Sequence, residues 1–178
     1  MSHVVIVGAK RTPLGALLGQ FTGVPATTLG ATAIKAALAQ SGVKPEAVSE
    51  VIMGCVLPAG LGQAPARQAS IAAGIPVATG ALTINKVCGS GMKAVMLGHD
   101  AIKAGSAEIV VAGGMESMTN APHLMMGSRT GIKYGTTEIP KEPKRVVTLG
   151  LSDQDAVLAL GVKPVGAVDW FKERPYGL

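Results

Sequence analysis

Apolar residues along this chain alternate between short continuous runs and longer stretches with helical spacing. His3-Val-Val-Ile-Val-Gly8 is a continuous β-branched run, which predicts a buried strand. An irregular, glycine-rich loop follows. Thr27 to Gln40 then places apolar residues at helical spacing (Leu29, Ala33, Ala36, Ala37) and closes on Gly42. Residues 50–57 predict a second strand, and Ala64 to Ala73 a short helix stopped by Gly74 and Pro76. Leu82 to Val87 reads as a third strand leading directly into Cys88. From Met92 to Ala104 the residues Met92, Val95, Met96 and Ile102 mark the apolar face of a helix, with Lys103 suited to its C-terminal dipole and Gly105 placed to end it. Glu108-Ile-Val-Val-Ala-Gly-Gly114 is a fourth strand. The order βαβαβαβ predicts an α/β fold, a mostly parallel sheet covered by helices with right-handed crossovers. In such sheets sites form beyond the carboxyl ends of strands, where Cys88 lies.

The pattern changes near residue 140. Pro140-Lys-Glu-Pro143 reads as a linker, Arg145 to Gly150 and Pro164 to Val168 as strands, and Ser152 to Leu160 as a capped helix, giving a short βαβ-like C-terminal appendage. Residues 138–178 hold six bases and six acids, whereas the first 137 hold ten bases and five acids. Three of the five aromatic residues, Trp170, Phe171 and Tyr176, fall in this tail. Two segments are therefore expected, 1–137 and 138–178.

Composition narrows the function classes. With 178 residues and 48% apolar content the chain can bury a core, and 24 glycines with few aromatics suit tightly packed α/β layers. The net charge of +5 is spread singly over Lys35, Lys44, Arg67, Lys86, Lys93 and Lys103. A nucleic-acid footprint would be clustered, so the charge points to an anionic small ligand instead. No apolar run is long enough for a membrane span, and the start lacks a secretory pattern, so no membrane association and a cytoplasmic location are expected. Cys55 and Cys88 have no metal-binding or disulfide spacing, and His3, His99 and His123 have no chelating spacing, so no metal and no bound cofactor are expected.

The chemistry concentrates at Asn85-Lys-Val-Cys-Gly-Ser-Gly91. A cysteine among Val, Ile and Met is often an inert core residue. Here glycines at a strand-to-helix turn let backbone and ligand approach closely. A helix start also presents free N–H groups that stabilise anions, so Cys88 is the candidate nucleophile. Cys55, inside an apolar strand with no glycine turn after it, reads as core. Gly60-Leu-Gly-Gln-Ala-Pro65 misses the dinucleotide fingerprint at its last position. Met115, Glu116, His123 and Met125 follow the fourth strand and could line an acyl pocket; core packing for the methionines and an ordinary loop place for His123 are the alternatives.

Four motifs together carry a family resemblance. Val7-Gly-Ala-Lys-Arg-Thr-Pro13, Gly62-Gln-Ala-Pro-Ala-Arg-Gln68, Asn85 to Gly91 and Gly113-Gly-Met-Glu-Ser-Met118 resemble the N-terminal half of a thiolase, nearest the acetyl-CoA acetyltransferase type. The resemblance implies that Cys88 accepts an acyl group as a thioester, which coenzyme A or a second acyl-CoA carbanion then attacks. It implies acyl-CoA and coenzyme A as substrates, a homo-oligomer, and a turn shaped by Asn85 and Gly89 next to the nucleophile. It also implies a second half that supplies a Gly-His-Pro histidine and a second cysteine. Neither occurs here: no Cys follows Cys88 and no His follows His123, so a truncated chain inactive alone is expected. Residues 143–168 resemble the start of a periplasmic iron-siderophore-binding protein, which implies a chimeric chain and, as an alternative function, ferric-siderophore binding.

Overall fold

The structure, a computed structural model, describes residues 3–124, 127, 147–148 and 166–167. The chain divides into two compact units, Met1–Leu124 and Met125–Leu178. In the first unit the elements run α1 (Ala26–Ser41), a 3-10 turn (Pro45–Ala47), β1 (Glu50–Gly54), α2 (Pro65–Ala72), β2 (Gly80–Ile84), α3 (Ser90–Lys103) and β3 (Val110–Gly114), followed by a 3-10 turn at Met118–Asn120. Strands β4 (Val147–Thr148) and β5 (Gly166–Ala167) pair in parallel in the second unit. The expected boundary at 137/138 and the helix expected over Ser152–Leu160 lie outside the described residues.

The sheet of the first unit has the order β2-β1-β3, with both pairings parallel. Central β1 is covered on both faces: Val51, Ile52 and Met53 are all 3% exposed or less. Burying each such side chain contributes about 1.5–3 kcal/mol. Alternation along β1 separates the two layers. Val51, Met53 and Cys55 join a core with Ala26, Ile34 and Leu38 of α1 and Ala66 and Ala69 of α2. Gly54 faces the other way, where an added Cβ would stand 2.6 Å from the Cβ of Ser90 at the start of α3. Because the chain passes from β2 across β1 to β3, α2 and α3 cover opposite faces of the sheet, as right-handed crossovers require.

Helix ends follow the sequence signals. Gly42, at φ 69°, ends α1 with its N–H bonded to the Leu38 carbonyl, and Gly74 and Gly105 take positive φ after α2 and α3. Pro65 opens α2 at a position where a missing N–H costs nothing.

Three expectations need correction. Residues 3–8 form no strand, and Val5, Ile6 and Val7 are 69%, 80% and 61% exposed. Among the described residues no strand pairs with this run, and β-branched composition alone cannot supply a neighbour; the sheet of the first unit therefore has three strands, not four. Helix α3 does not bury the face marked by its large residues. Its buried positions are Ser90, Ala94 and Gly98, while Met92, Val95 and Met96 are exposed. Small residues let the helix settle close on the sheet: a Cβ at Gly98 would lie 3.1 Å from Val110, and one at Gly91 would lie 3.5 Å from the Gly114 nitrogen. Lastly, β2 ends at Ile84, so a turn separates strand from cysteine.

Candidate functional site

That turn is held by its own side chains. Asn85 Oδ1 accepts the Val87 N–H at 2.9 Å, an Asx-type turn, and Ser90 Oγ accepts the Lys86 N–H at 2.8 Å and donates to the Val87 carbonyl at 2.6 Å. Between them Val87 is driven to φ 49°, a left-handed conformation that a β-branched residue rarely adopts. Cys88 follows, exposed, with Gly89 capping α3. The strained turn lifts the thiol out of the sheet and leaves it beside the first turn of the helix, where the Gly89 and Ser90 N–H groups donate to the Lys86 and Val87 carbonyls at 3.0 and 3.1 Å.

Cys88 opens into a cleft of about 840 Å³ at the carboxyl ends of β1 and β3. Its walls include Lys10 and Arg11 from the N-terminal loop, Gly30 of α1, Leu57, and the run Gly114 to Thr119. The volume is that of a site for a small organic ligand. Lys10 and Arg11 give the cleft cationic groups, and Glu116 is its acid. The N-terminal loop is tied to the turn after β3, since Leu18 N–H donates to Thr119 Oγ1 at 2.9 Å and Gly23 N–H to Asn120 Oδ1 at 3.0 Å. Asn120 Nδ2 closes the arrangement by donating to the Val24 carbonyl at 3.0 Å. A second hollow, of about 350 Å³, lies by the far end of α1 between Lys35 and Lys44 and is lined by neither a thiol nor an acid.

Glu116 grips the end of β1. Its Oε2 accepts the Val56 N–H at 2.7 Å and its Oε1 the Leu57 N–H at 3.0 Å. Cys55 Sγ lies 3.8 Å from Oε1. Burial, with the Glu116 charge next in weight, pushes the Cys55 thiol above its ordinary range. At 1% exposed, that thiol is enclosed and held neutral.

Of the residues singled out in the sequence, Cys88, Met115 and Glu116 line the same cleft. Met115 is 6% exposed, packed beneath Gly30, whose missing Cβ would stand 2.6 Å from its sulfur. Asn85 and Gly89 belong to the turn that carries Cys88. His123 is exposed and not among the lining residues, and Met125 lies outside the described residues. Ser90, Thr119 and Asn120 were not singled out. The signal for Ser90 is present, a small hydroxyl residue between glycines at a helix start; the bonds that tie Thr119 and Asn120 to the N-terminal loop span about a hundred residues and leave none. The Gly60 to Pro65 loop is closed by Gln68, which donates to the Leu61 and Gln63 carbonyls at 2.6 and 2.7 Å. Among the described residues no group of three or more His, Cys, Asp or Glu could hold a metal ion, and no helix is long and apolar enough to cross a membrane.

Comparison with known proteins finds relatives over most of the chain. The family model for the thiolase N-terminal domain matches residues 4–163, running past the boundary expected at 137/138. An acetyl-CoA acetyltransferase of Cupriavidus necator is 60% identical over 139 residues, covering 78% of this chain and 35% of that protein. One of Chromobacterium violaceum is 52% identical over 160 residues, covering 90% of this chain and 40% of that protein. The chain thus spans little more than a third of the length of these relatives. Among solved structures, a thiolase of Ascaris suum in complex with coenzyme A matches with a TM-score of 0.67 and 46% identity, over 68% of this chain and 32% of that one.

Proposed function

The chain belongs to the thiolase family, and from that premise we propose that it takes part in acyl transfer from coenzyme A thioesters with Cys88 as the acyl acceptor. The observation that carries this reading is the contrast in thiol setting: Cys88 is exposed on a constrained turn at a cleft, whereas Cys55 is buried. In the proposed step the Cys88 thiolate attacks the thioester carbonyl carbon. A new C–S bond forms, the C–S bond to coenzyme A breaks, and the released thiolate takes a proton from solvent. The positive end of the α3 dipole near Cys88 suits the oxyanion that develops. Lys10 and Arg11 in the cleft suit a phosphorylated carrier.

Acetyl groups are the proposed cargo, because the similar relatives are acetyl-CoA acetyltransferases. Those relatives extend well beyond the span of this chain. The proposal is therefore confined to acyl acceptance by Cys88. A homo-oligomer in the cytoplasm completes the proposal, checked by sizing and fractionation.

Incubation with acetyl-CoA followed by peptide mapping tests it. The expected result is one acetyl group on Cys88 and release of an equivalent of coenzyme A, both lost in Cys88→Ala. Folded protein that stays unmodified, or carries the acetyl group on Cys55, would overturn the reading. The siderophore-binding resemblance of residues 143–168 finds no support in the comparisons, whose thiolase family model runs through residue 163.

A further inference from the structure

We propose that Glu116 is a positioning residue for Cys88, acting through a relay of two planar amides that runs from the end of β3 to the turn before α3. The relay begins at the carboxylate, where Oε1 accepts the Leu57 N–H at 3.0 Å. That N–H and the Val56 carbonyl belong to the same peptide unit, a rigid plane, so fixing one fixes the other. The Val56 carbonyl accepts a hydrogen bond from Asn85 Nδ2 at 3.2 Å. On the same carboxamide, Asn85 Oδ1 accepts the Val87 N–H at 2.9 Å. Val87, held at φ 49°, is the residue before Cys88.

Every donor in this series points toward Glu116. Leu57 N–H donates to the carboxylate, Asn85 N–H to the carbonyl of that peptide, and Val87 N–H to the carbonyl of that carboxamide. Aligned bonds of this kind polarise one another, and the negative charge at the end draws the whole series taut. Both Glu116 oxygens receive backbone N–H groups, from Val56 at 2.7 Å and Leu57 at 3.0 Å, so the carboxylate is fixed against the end of β1. What the relay supplies is resistance to relaxation at Val87. A β-branched residue in the left-handed region returns to negative φ when its constraints loosen, and Cys88 would move with it.

The inference rests on Cys88 being the reacting thiol, and its test needs no acyl donor. Site-resolved alkylation by iodoacetamide is measured across neutral to alkaline pH for wild type, Glu116→Gln, Asn85→Asp and the double variant, with circular dichroism to verify folding. Asn85→Asp keeps an acceptor for the Val87 N–H and removes the donor to Val56, so it cuts the relay while leaving the local turn. Each single variant is expected to slow Cys88 alkylation about five-fold, and the double variant to be no slower than the worse single, as for two cuts in one path. Effects that multiply, or a wild-type rate in Asn85→Asp, would overturn the relay. Should Glu116→Gln fail to fold, amide exchange at Leu57 in Asn85→Asp decides: faster exchange supports the relay and unchanged exchange rejects it. A residue of merely structural role would lower the melting temperature without this non-additivity. Failure to acetylate Cys88 with the coupling intact would reject only the acyl-transfer reading.

Discussion

The carboxyl ends of β1 and β2 each lead into a cysteine within four residues, yet the two thiols have opposite settings. β1 is the central strand, and its chain continues in register one residue further, with Cys55 N–H bonded to the Ile84 carbonyl at 3.0 Å. Cys55 is thereby kept between α1, α2 and the Glu116 carboxylate, 1% exposed and with its thiol pushed up. β2 is an edge strand, and its chain leaves the sheet at Ile84 into a turn stapled by Asn85 and Ser90. Cys88 ends up exposed at the cleft. Residue type is the same in both places; strand position and the turn decide which thiol meets solvent.

The largest expected effect tests that contrast directly. Iodoacetamide at neutral pH should label Cys88 on the order of a hundred-fold faster than Cys55, since labelling Cys55 requires local opening costing about 3 kcal/mol. Comparable rates by peptide mapping would erase the distinction. Next is the support under the turn. Gly54→Ala places a Cβ 2.6–2.7 Å from Ser90 atoms, backbone included, which neither β1 nor α3 can yield cheaply. A loss of about 3 kcal/mol in urea unfolding is expected, with Cys88 labelling altered and Cys55 labelling faster.

Ser90→Ala should cost less, about 2 kcal/mol, because the Lys86 N–H loses its acceptor at a 4% exposed position. Its distinguishing sign is a change at Cys88 with none at Cys55. Smallest is the pH response of Cys55. Its folded-state pKa is raised, so the neutral thiol stabilises the fold below the unfolded-state value, and that contribution is lost as pH rises from there through the folded value. Unfolding at alkaline pH should therefore show wild type losing stability relative to Cys55→Ala, and parallel pH curves would contradict the raised value.

Much of this layout could be read from the sequence because its signals are local. Gly42, Gly74 and Gly105 end the helices where the apolar spacing stops, and Cys-Gly-Ser-Gly marks the turn that carries the exposed thiol. The failures share a cause, which is dependence on a distant partner. Residues 3–8 have the composition of a strand, but a strand exists only beside another. Counting large side chains misplaces the buried face of α3, because Gly54 and Gly114 across the interface admit only small ones. Glu116 follows the glycine pair visibly enough, yet its bonds run to residues 59 and 60 positions earlier, which no spacing rule reaches.

The seam between α3 and the sheet has one more consequence. Gly54, Gly91 and Gly114 meet there with backbone against backbone, and Gly98 sits directly on Val110. Side-chain contacts can re-sort rotamers under load; where backbone meets backbone at Gly54, Gly91 and Gly114 there are none to re-sort. The seam behaves as a hard mechanical stop with little compliance, setting the height of α3 above the sheet in the way a datum surface sets a machined part. Sequence drift elsewhere in the core can then be absorbed without carrying the amino end of α3, and the thiol beside it, out of alignment with the cleft.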